Sequence, residues 1–171
     1  MATLYQLIEK AIAFDHGDAK RIQHFLKVYT YADLISHLEH IPPSTHTTLI
    51  TAAVLHDIGI HAAEKKYGST SGIYQEQEGP APARDILTSL GYPEDVIERV
   101  CFLIAHHHTY HDVDGLDYQI LLEADFLVNA YEDQLSKDTI RQFCQRVFRT
   151  ASGIQLLKET FDISYKEVDS L

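Results

Sequence analysis

Two histidines and two aspartates lie in apolar segments of the sequence. His24 shares a predicted helix face with apolar residues one and two turns later, in RIQHFLKVYTYADL. His56 and Asp57 are neighbours in TAAVLHDIGI, and Asp125 lies in YQILLEADFLVNAYED. A buried carboxylate is usually paired, protonated or bound to a cation, because isolated charge is costly to bury. Imidazole and carboxylate together suit Fe, Mn, Co, Ni or Zn, although each residue taken alone also fits an ordinary structural role.

The segment AHHHTYHD contains a second concentration of histidine, at His106, His107, His108 and His111. Protonated histidines at the end of a helix interact favourably with the helix dipole, which is one explanation for the triplet. One of them can instead be a base, a phosphate donor or a metal ligand. We expect at least two of the three consecutive histidines to face solvent.

The elements that must position these residues are predicted to be helices. Apolar spacing is helical almost throughout, and no alternation of strands and helices is present. We predict an all-α, single-domain helical bundle of about six to eight helices over residues 1–171. Its core spans about 18–133, and an N-terminal helix at 1–15 and C-terminal helices at 136–171 pack on that core.

Capping residues and helix breakers set the predicted limits. A helix begins near Asp18 and stops at Pro42-Pro43, after which Ser44 or Thr45 caps a helix that ends around Gly59. Residues 61–75 are rich in Gly, Ser and Thr and are predicted to be a loop. Further helices are predicted at 76–90, from 93 to the histidine triplet, at 116–132 and from 136, with a further segment after 153.

Composition and charge restrict the class of protein. The 171 residues include 14 Lys and Arg and 25 Asp and Glu, for a formal charge of −11. This balance argues against general nucleic-acid binding, which depends on neutralising phosphates with basic residues. No apolar run is long enough for a membrane span, and the N-terminus is predicted to be an amphipathic helix and not a signal peptide. Cys101 and Cys144 lack CxxC spacing, which favours buried free thiols and a cytoplasmic location.

The order H…HD…D in a helical chain resembles the HD-domain superfamily of metal-dependent phosphohydrolases. The resemblance covers roughly residues 18–133 and includes AAVLHDIG and EGPAPARDILTSLGY, the latter similar to the family's EGA-x-x-AR-x-IL-x-x-LG segment. It is closest to small stand-alone bacterial HD proteins. It implies that His24, His56, Asp57 and Asp125 ligate one divalent ion (Mn, Fe, Co, Ni, Mg or Zn) that activates water. The implied reaction is hydrolysis of a nucleotide-like or other small phosphate ester.

The sequence departs from the pattern of the family members that bind two metals. Those proteins carry a further histidine just before the EGA-like segment, where this chain has Gln75. Glu76 or Glu78 could supply oxygen ligands instead. His107 and His108 match the histidine pair of those proteins, with His107 as the preferred base or ligand. We therefore expect one ion and leave a second ion open.

Four cations are candidates for contact with substrate phosphate. Arg21 lies one turn before His24, Lys65 and Lys66 follow the HD dipeptide, and Arg84 is the arginine of the EGA-like segment. Each could equally be a surface cation or pair with another helix. The segment 68–72, GSTSG, is a candidate for a mobile rim of the active site because it offers small hydrogen-bond donors next to the two lysines.

Two other functions are compatible with the same residues. One is an HD-type oxygenase with two irons, and the other is a non-catalytic sensor that binds metal or nucleotide. Two irons per chain would favour the oxygenase, and failure to hydrolyse a broad panel of phosphate esters would favour the sensor. The expected partner is a small phosphorylated substrate, without general nucleic-acid or membrane binding, and a homodimer through the first or last helices is left open.

Overall fold

The computed structural model describes residues 3–164, and all regular structure in that range is helical. The helices in chain order are α1 (Leu4–Phe14), α2 (Ala19–Leu38), α3 (Pro43–Leu55), α4 (Ile60–Tyr67), α5 (Gly72–Glu78), α6 (Pro80–Ser89), α7 (Glu94–Ile104), α8 (Leu116–Glu132), α9 (Lys137–Val147) and α10 (Ala151–Phe161). The predicted all-α bundle is confirmed. The short helices α4 and α5 bring the number in the described range above the expected about six to eight.

Two helices, α3 and α8, form the centre of the bundle. All residues of α3 from Thr48 to Leu55 are buried, as are all residues of α8 from Asp117 to Val128. A helix that is buried all round needs neighbours on every side. Helix α3 packs against α1, α2, α7 and α8, while α8 packs against α2, α3, α9 and α10. The candidate ligands therefore lie on or beside the most enclosed helices.

Local capping explains where α2 and α3 begin. Asp18 is the N-cap of α2, as predicted, and its Oδ1 accepts a hydrogen bond of 3.1 Å from the backbone N–H of Arg21. The prediction that Ser44 or Thr45 caps α3 is wrong, because α3 begins at Pro43 with Pro42 as the N-cap. The backbone N–H of the first helical residue has no acceptor within the helix. Proline suits this position because it has no N–H.

The predicted loop at residues 61–75 is wrong, since α4 and most of α5 occupy it. Gly68 ends α4 in the left-handed conformation, with φ +64°. The helix predicted from residue 76 to 90 is broken at Gly79. A Cβ on Gly59 would lie 2.5 Å from the backbone nitrogen of Gly79. This close backbone approach fixes the turn after His56 and Asp57 against the start of α6.

The buried carboxylate of Glu123 joins α8 to the segment before α10. The sequence places Glu123 beside Asp125 as the more readily solvated acid, but its side chain is fully buried. It accepts hydrogen bonds from Gln119 Nε2 at 2.7 Å and from the backbone N–H groups of Arg149 at 2.7 Å and Thr150 at 3.0 Å. The hydroxyl of Thr150, the N-cap of α10, donates to the same carboxylate. Hydrogen bonding thus compensates the burial of this acid.

Both cysteines are buried free thiols, as predicted. Within residues 3–164, no helix combines the length and the apolar character needed to cross a bilayer. The predicted extension of one domain over the whole chain stays a prediction. Residues 1–2 and 165–171 of its terminal segments lie outside the described range.

Candidate metal centre

His24, His56, Asp57 and Asp125, hereafter the first set, meet where α2, α3 and α8 come together. His24 Nε2 lies 3.2 Å from His56 Nε2, 3.2 Å from Asp125 Oδ1 and 3.4 Å from Asp57 Oδ2. His56 Nε2 lies 3.4 Å from the same Asp125 oxygen. Both histidines and Asp125 are buried, whereas Asp57 is partly exposed. The structure therefore brings together the four residues, which the sequence places on three helices.

The local structure around each member fixes its direction. His56 is the C-cap residue of α3, so Asp57 lies in the tight turn that follows the helix. Asp125 lies in the middle of α8, where Asn129, one turn later, donates a hydrogen bond of 2.8 Å to its Oδ1. His24 lies in the second turn of α2, which packs against both α3 and α8.

The imidazole rings of the first set present their Nε2 atoms to one another. Nδ1 of His56 donates to the backbone carbonyl of Ala53 at 2.8 Å, and Nδ1 of His24 donates to Glu132 Oε2 at 2.9 Å. With Nδ1 carrying the proton, Nε2 of a neutral imidazole has a free lone pair. Two such nitrogens 3.2 Å apart require a proton or a cation between them. Flanked by two carboxylates, this donor set fits a divalent cation.

The electrostatics of the first set favour positive charge. Burial opposes protonation of His24, but Asp125 and Asp57 outweigh it and raise the pKa of His24 to about 9. The pKa of His56 is also raised, because Asp57 and Asp125 overcome its burial. Although burial opposes ionisation of the two aspartates, the neighbouring histidines hold their pKa values below the usual range. The aspartates are thus charged and would attract a cation.

Asp57, His107 and His108, hereafter the second set, form an adjoining group whose ligand atoms all lie within 4.8 Å of one another. His107 is fully buried, and its Nδ1 donates to the carbonyl of Ile104 at 2.7 Å. Its Nε2 lies 3.4 Å from Asp57 Oδ1 but has no hydrogen-bond partner among the described atoms. Burial and the nearby His107 lower the pKa of His108 to about 4, so His108 is neutral at pH 7. This set also fits a cation.

The expectation that at least two histidines of the triplet face solvent is wrong, since His107 is buried and the other two are only partly exposed. Nδ1 of His106 donates to the carbonyl of Phe102 at 2.7 Å, and the two rings stack with centroids 4.2 Å apart. The hydroxyl of Tyr118 lies 2.8 Å from the carbonyl oxygen of His106. These contacts orient the turn so that His107 and His108, and not His106, face Asp57.

Gln75 lies where the second set approaches α5. Its side chain is buried, its Oε1 lies 3.4 Å from His108 Nε2, and its amide donates to the carbonyl of Thr70 at 2.7 Å. A neutral amide oxygen is a weaker ligand for a transition metal than imidazole. The pattern of the HD proteins that bind two metals has a histidine nitrogen at this position. This chain instead has the amide oxygen of Gln75 beside His108.

Glu76 and Glu78 do not replace that ligand, contrary to the prediction. Glu76 Oε1 accepts hydrogen bonds from the backbone N–H of His108 at 2.9 Å and from the hydroxyl of Thr109 at 3.0 Å. Glu78 pairs with Lys66 at 2.8 Å. Glu76 thus fixes the histidine turn, and Glu78 belongs to a surface ion pair.

A small pocket opens onto both sets. Its cavity volume is about 220 Å³, and its lining includes His24, Asp57 and His108 together with Lys20 and Arg21. Arg21 was predicted from the sequence to contact phosphate, whereas Lys20 was not. Both cations lie on α2 just before His24, so the same helix supplies a metal ligand and positive charge.

The other predicted phosphate contacts lie elsewhere. Arg84 pairs with Glu94 at 2.6 Å and with Glu98 at 2.5 Å, because α6 packs against α7. Lys66 is held by Glu78, and Lys65 is exposed and does not line the pocket. Of the predicted rim segment 68–72, Thr70 lines the pocket.

Sequence reasoning missed Glu132, the last residue of α8. Its carboxylate accepts from His24 Nδ1 at 2.9 Å and from Lys27 Nζ at 2.6 Å. A carboxylate behind a metal-binding histidine fixes the ring and increases its basicity. Glu132 follows Asp125 by seven residues, which places both on one helix face, and that spacing was the available signal.

The HD domain family model matches residues 21–142, which include every member of both sets. The chain belongs to the HD-domain family. The resemblance inferred from the sequence is confirmed. HD domains bind divalent metals, and this HD domain has His and Asp groups able to hold one.

A solved structure has a fold similar to that of this chain. The crystal structure of a "predicted HD superfamily hydrolase" from an uncultured Thermotogales bacterium shares 21% identity with this HD domain and superposes with a TM-score of 0.68. The similarity covers 94% of this chain and 86% of that chain. A search of curated proteins found no match. At this identity the similarity concerns the fold, so the reaction must be argued from the site.

Proposed function

We propose that this HD-domain protein is a phosphohydrolase that uses a divalent metal to hydrolyse a nucleotide-like or other small phosphate ester. The observation that carries the proposal is the pair of Nε2 atoms of His24 and His56, 3.2 Å apart beside two carboxylates. Family membership and the fold of an HD superfamily hydrolase support hydrolysis in general.

In this proposal the first set holds the ion, with Asp57 and Asp125 supplying charge and the two histidines supplying nitrogen ligands. A divalent ion held there supplies a Lewis acid that activates water and neutralises phosphoryl charge. Lys20 and Arg21 bind the remaining phosphate oxygens from the rim of the pocket. Arg21 lies 3.5 Å from Glu64 and 3.9 Å from Asp18, long contacts that involve Nη2 and Nε and leave Nη1 to bind phosphate. Water breaks the P–O bond and gives phosphate and an alcohol.

The lining of the pocket favours a substrate that carries a polar group next to its phosphate. Ile60 is the one apolar side chain among the described lining residues, and none of those residues is Phe, Tyr or Trp. Binding a nucleobase commonly uses an aromatic stacking platform. We therefore propose that the pocket of about 220 Å³ takes the phosphate and a sugar or similar polyol. The base of a nucleotide-like substrate would lie outside it.

We propose that one ion resides in the first set. We also propose that the protein is located in the cytoplasm.

The second set favours a second candidate function, since Asp57, His107 and His108 could hold another ion next to the first. Two irons in these positions would fit an O₂-activating HD oxygenase. Metal analysis of protein purified without chelator separates the two functions, because two irons per chain would support the oxygenase.

The test uses a panel of phosphate esters that includes p-nitrophenyl phosphate, sugar phosphates and nucleoside monophosphates, with Mn²⁺, Co²⁺, Ni²⁺ or Mg²⁺ supplied. We expect phosphate release that depends on the ion and is lost in Asp125→Asn. The matched control is Asp85→Asn, since Asp85 is an exposed aspartate on α6. Absence of release from every ester by protein with its ion bound would contradict the proposal and support the non-catalytic sensor.

A further inference from the structure

A separate group of imidazole and carboxylate ligands lies at the other end of α2. Asp33 and His37 are one turn apart near the C-terminal end of that helix, and His46 faces them from the first turns of α3. We refer to these three residues as the peripheral cluster. At about 1.5 Å per residue, Asp33 lies about 14 Å along the helix axis from His24. The peripheral cluster therefore shares no ligand with the metal centre.

The spacing within the peripheral cluster suits a single ion. His46 Nε2 lies 2.7 Å from Asp33 Oδ1. His37 Nδ1 lies 3.5 Å from the same oxygen and donates a hydrogen bond of 2.8 Å to the backbone carbonyl of Asp33. All three ligand atoms lie within 4.8 Å of one another. A tetrahedral zinc ion with bonds of about 2.0–2.1 Å separates its ligand atoms by about 3.3 Å. Small side-chain rotations would thus bring the three atoms to the required distances. The ion would replace the Nδ1 proton of His37 and its hydrogen bond to the Asp33 carbonyl.

The peripheral cluster is accessible from solvent. It borders a groove of about 410 Å³ whose lining includes His37, His46 and a further histidine, His40. The backbone of His40 adopts the left-handed conformation, with φ +53°, at the turn between α2 and α3. An ion could therefore enter from the groove, and water could complete four-fold coordination.

A simple ion pair accounts for only part of this arrangement. Asp33 and His46 form such a pair, and His37 Nδ1 donates to the backbone carbonyl of Asp33 at 2.8 Å. The side chain of His37 is 65% exposed and also packs edge-on against His46, with ring centroids 4.9 Å apart. A carboxylate and an imidazole at i and i+4 on one helix, facing an imidazole of the next helix, supply three ligands without rearranging the backbone. Two imidazoles favour zinc over magnesium or calcium.

We propose that Asp33, His37 and His46 form a peripheral zinc site that clamps the C-terminal end of α2 to the N-terminal end of α3. Helix α2 carries His24, and α3 ends at His56, so the clamp joins the two helices that supply the imidazoles of the metal centre. Zinc bound only in the folded state stabilises that state by mass action. The site does not depend on the proposed phosphohydrolase function.

The experiment measures zinc binding to chelator-stripped protein in competition with a chromophoric chelator. His37→Gln and His46→Gln are each expected to weaken one zinc site by at least 10-fold and to remove one ion from the stoichiometry. Zinc should raise the melting temperature of the wild type. The rise should be smaller in these variants, because the contribution of this ion is lost. His37 is largely exposed, so its replacement should leave the metal-free protein folded. The control His111→Gln replaces another exposed histidine and should change nothing.

A second arm removes the metal centre. The double variant His56→Gln/Asp57→Asn should still bind one zinc ion, and adding His46→Gln should abolish that binding. If the double variant does not fold, the single variants in the otherwise intact protein decide the question by their stoichiometry. Equal zinc stoichiometry and affinity in wild type, His37→Gln and His46→Gln would overturn the proposal. An equal loss in His111→Gln would also overturn it, because it would show adventitious surface binding only.

Discussion

Asp57 faces His24 with one carboxylate oxygen and His107 with the other. Its Oδ2 lies 3.4 Å from His24 Nε2, and its Oδ1 lies 3.4 Å from His107 Nε2. A single side chain thus belongs to both the first and the second set. By contrast, Asp125 approaches only the imidazoles of the first set among the described contacts. We therefore predict different effects on metal binding for substitutions of the two aspartates.

Asp57→Asn is expected to reduce metal affinity in both sets, because it removes the negative charge that the two sets share. Asp125→Asn should weaken only the first set. For either variant we expect metal affinity and phosphate release to fall by more than about 100-fold, beyond the effect typical of residues that only support a ligand. Metal content after dialysis against a chelator measures the effect. Unchanged metal content in both variants would show that neither aspartate is a ligand.

His107→Ala should leave the ion of the first set in place. His107 Nε2 lies 3.4 Å from Asp57 Oδ1, an oxygen that does not face His24, and its Nδ1 donates to a backbone carbonyl. Any ion held by the second set should be lost. Metal analysis of wild type and variant, each loaded with Mn²⁺ or Fe²⁺, provides the measurement. Loss of all metal from His107→Ala would mean that the two sets are wrongly divided.

Glu132→Ala should lower metal affinity by about 10–100-fold without removing a direct ligand. The variant frees the Nδ1–H of His24, so this ring loses both its fixed orientation and the basicity that the carboxylate provides. The matched control is Lys27→Ala, since Lys27 contacts the same carboxylate but not His24. Competition with a chromophoric chelator measures both variants. The role of Glu132 is contradicted if the two changes have equal effects.

Glu123→Ala should destabilise the fold while metal content stays unchanged. It leaves the backbone N–H groups of Arg149 and Thr150 without their acceptor. An unsatisfied buried donor costs about 1–3 kcal/mol, so we expect a loss of about 2–4 kcal/mol. Urea unfolding measures the loss, and faster amide exchange in α10 should locate it. The control is Glu159→Ala, an exposed glutamate on α10.

Gly59→Ala should be more destabilising than Gly79→Ala. The new Cβ at Gly59 would meet backbone atoms of Gly79 and Gln75, at 2.5 and 2.7 Å. At Gly79 the nearest atom is Cγ2 of Ile104, a side-chain atom, and the nearest backbone atom is the carbonyl oxygen of Gln75 at 3.0 Å. Overpacking of this kind costs about 1–3 kcal/mol, and more where the backbone must shift. Thermal unfolding of the two variants in parallel tests the order, and equal melting temperatures would contradict it.

The helical class could be predicted because its signals are local, whereas the four residues of the first set were grouped by the resemblance to the HD-domain superfamily. Asp18 caps its own helix, and the apolar spacing of α8 gives its limits at Leu116 and Glu132. His24 and Asp125 stand out because a polar side chain in an apolar helical segment must find a partner. Each signal is contained within a few turns of the chain.

The partners of the surface charges could not be predicted, because they come from distant parts of the chain. Arg84 and Lys66 are suitable phosphate ligands by type, yet each pairs with glutamates that packing brings near. The short helices α4 and α5 were also missed. They form in a segment rich in loop residues because Gly59 and Gly79 allow their backbones to approach closely.

The sequence by itself determined which residue types are available for a metal centre and on which helices they lie. Tertiary structure alone decided that Glu132 supports His24, that His107 and His108 turn toward Asp57, and that Asp33 meets His46. The physical reason is that helix periodicity fixes the face of each side chain along its own axis. The distance and rotation between two helices depend on how all their side chains pack together.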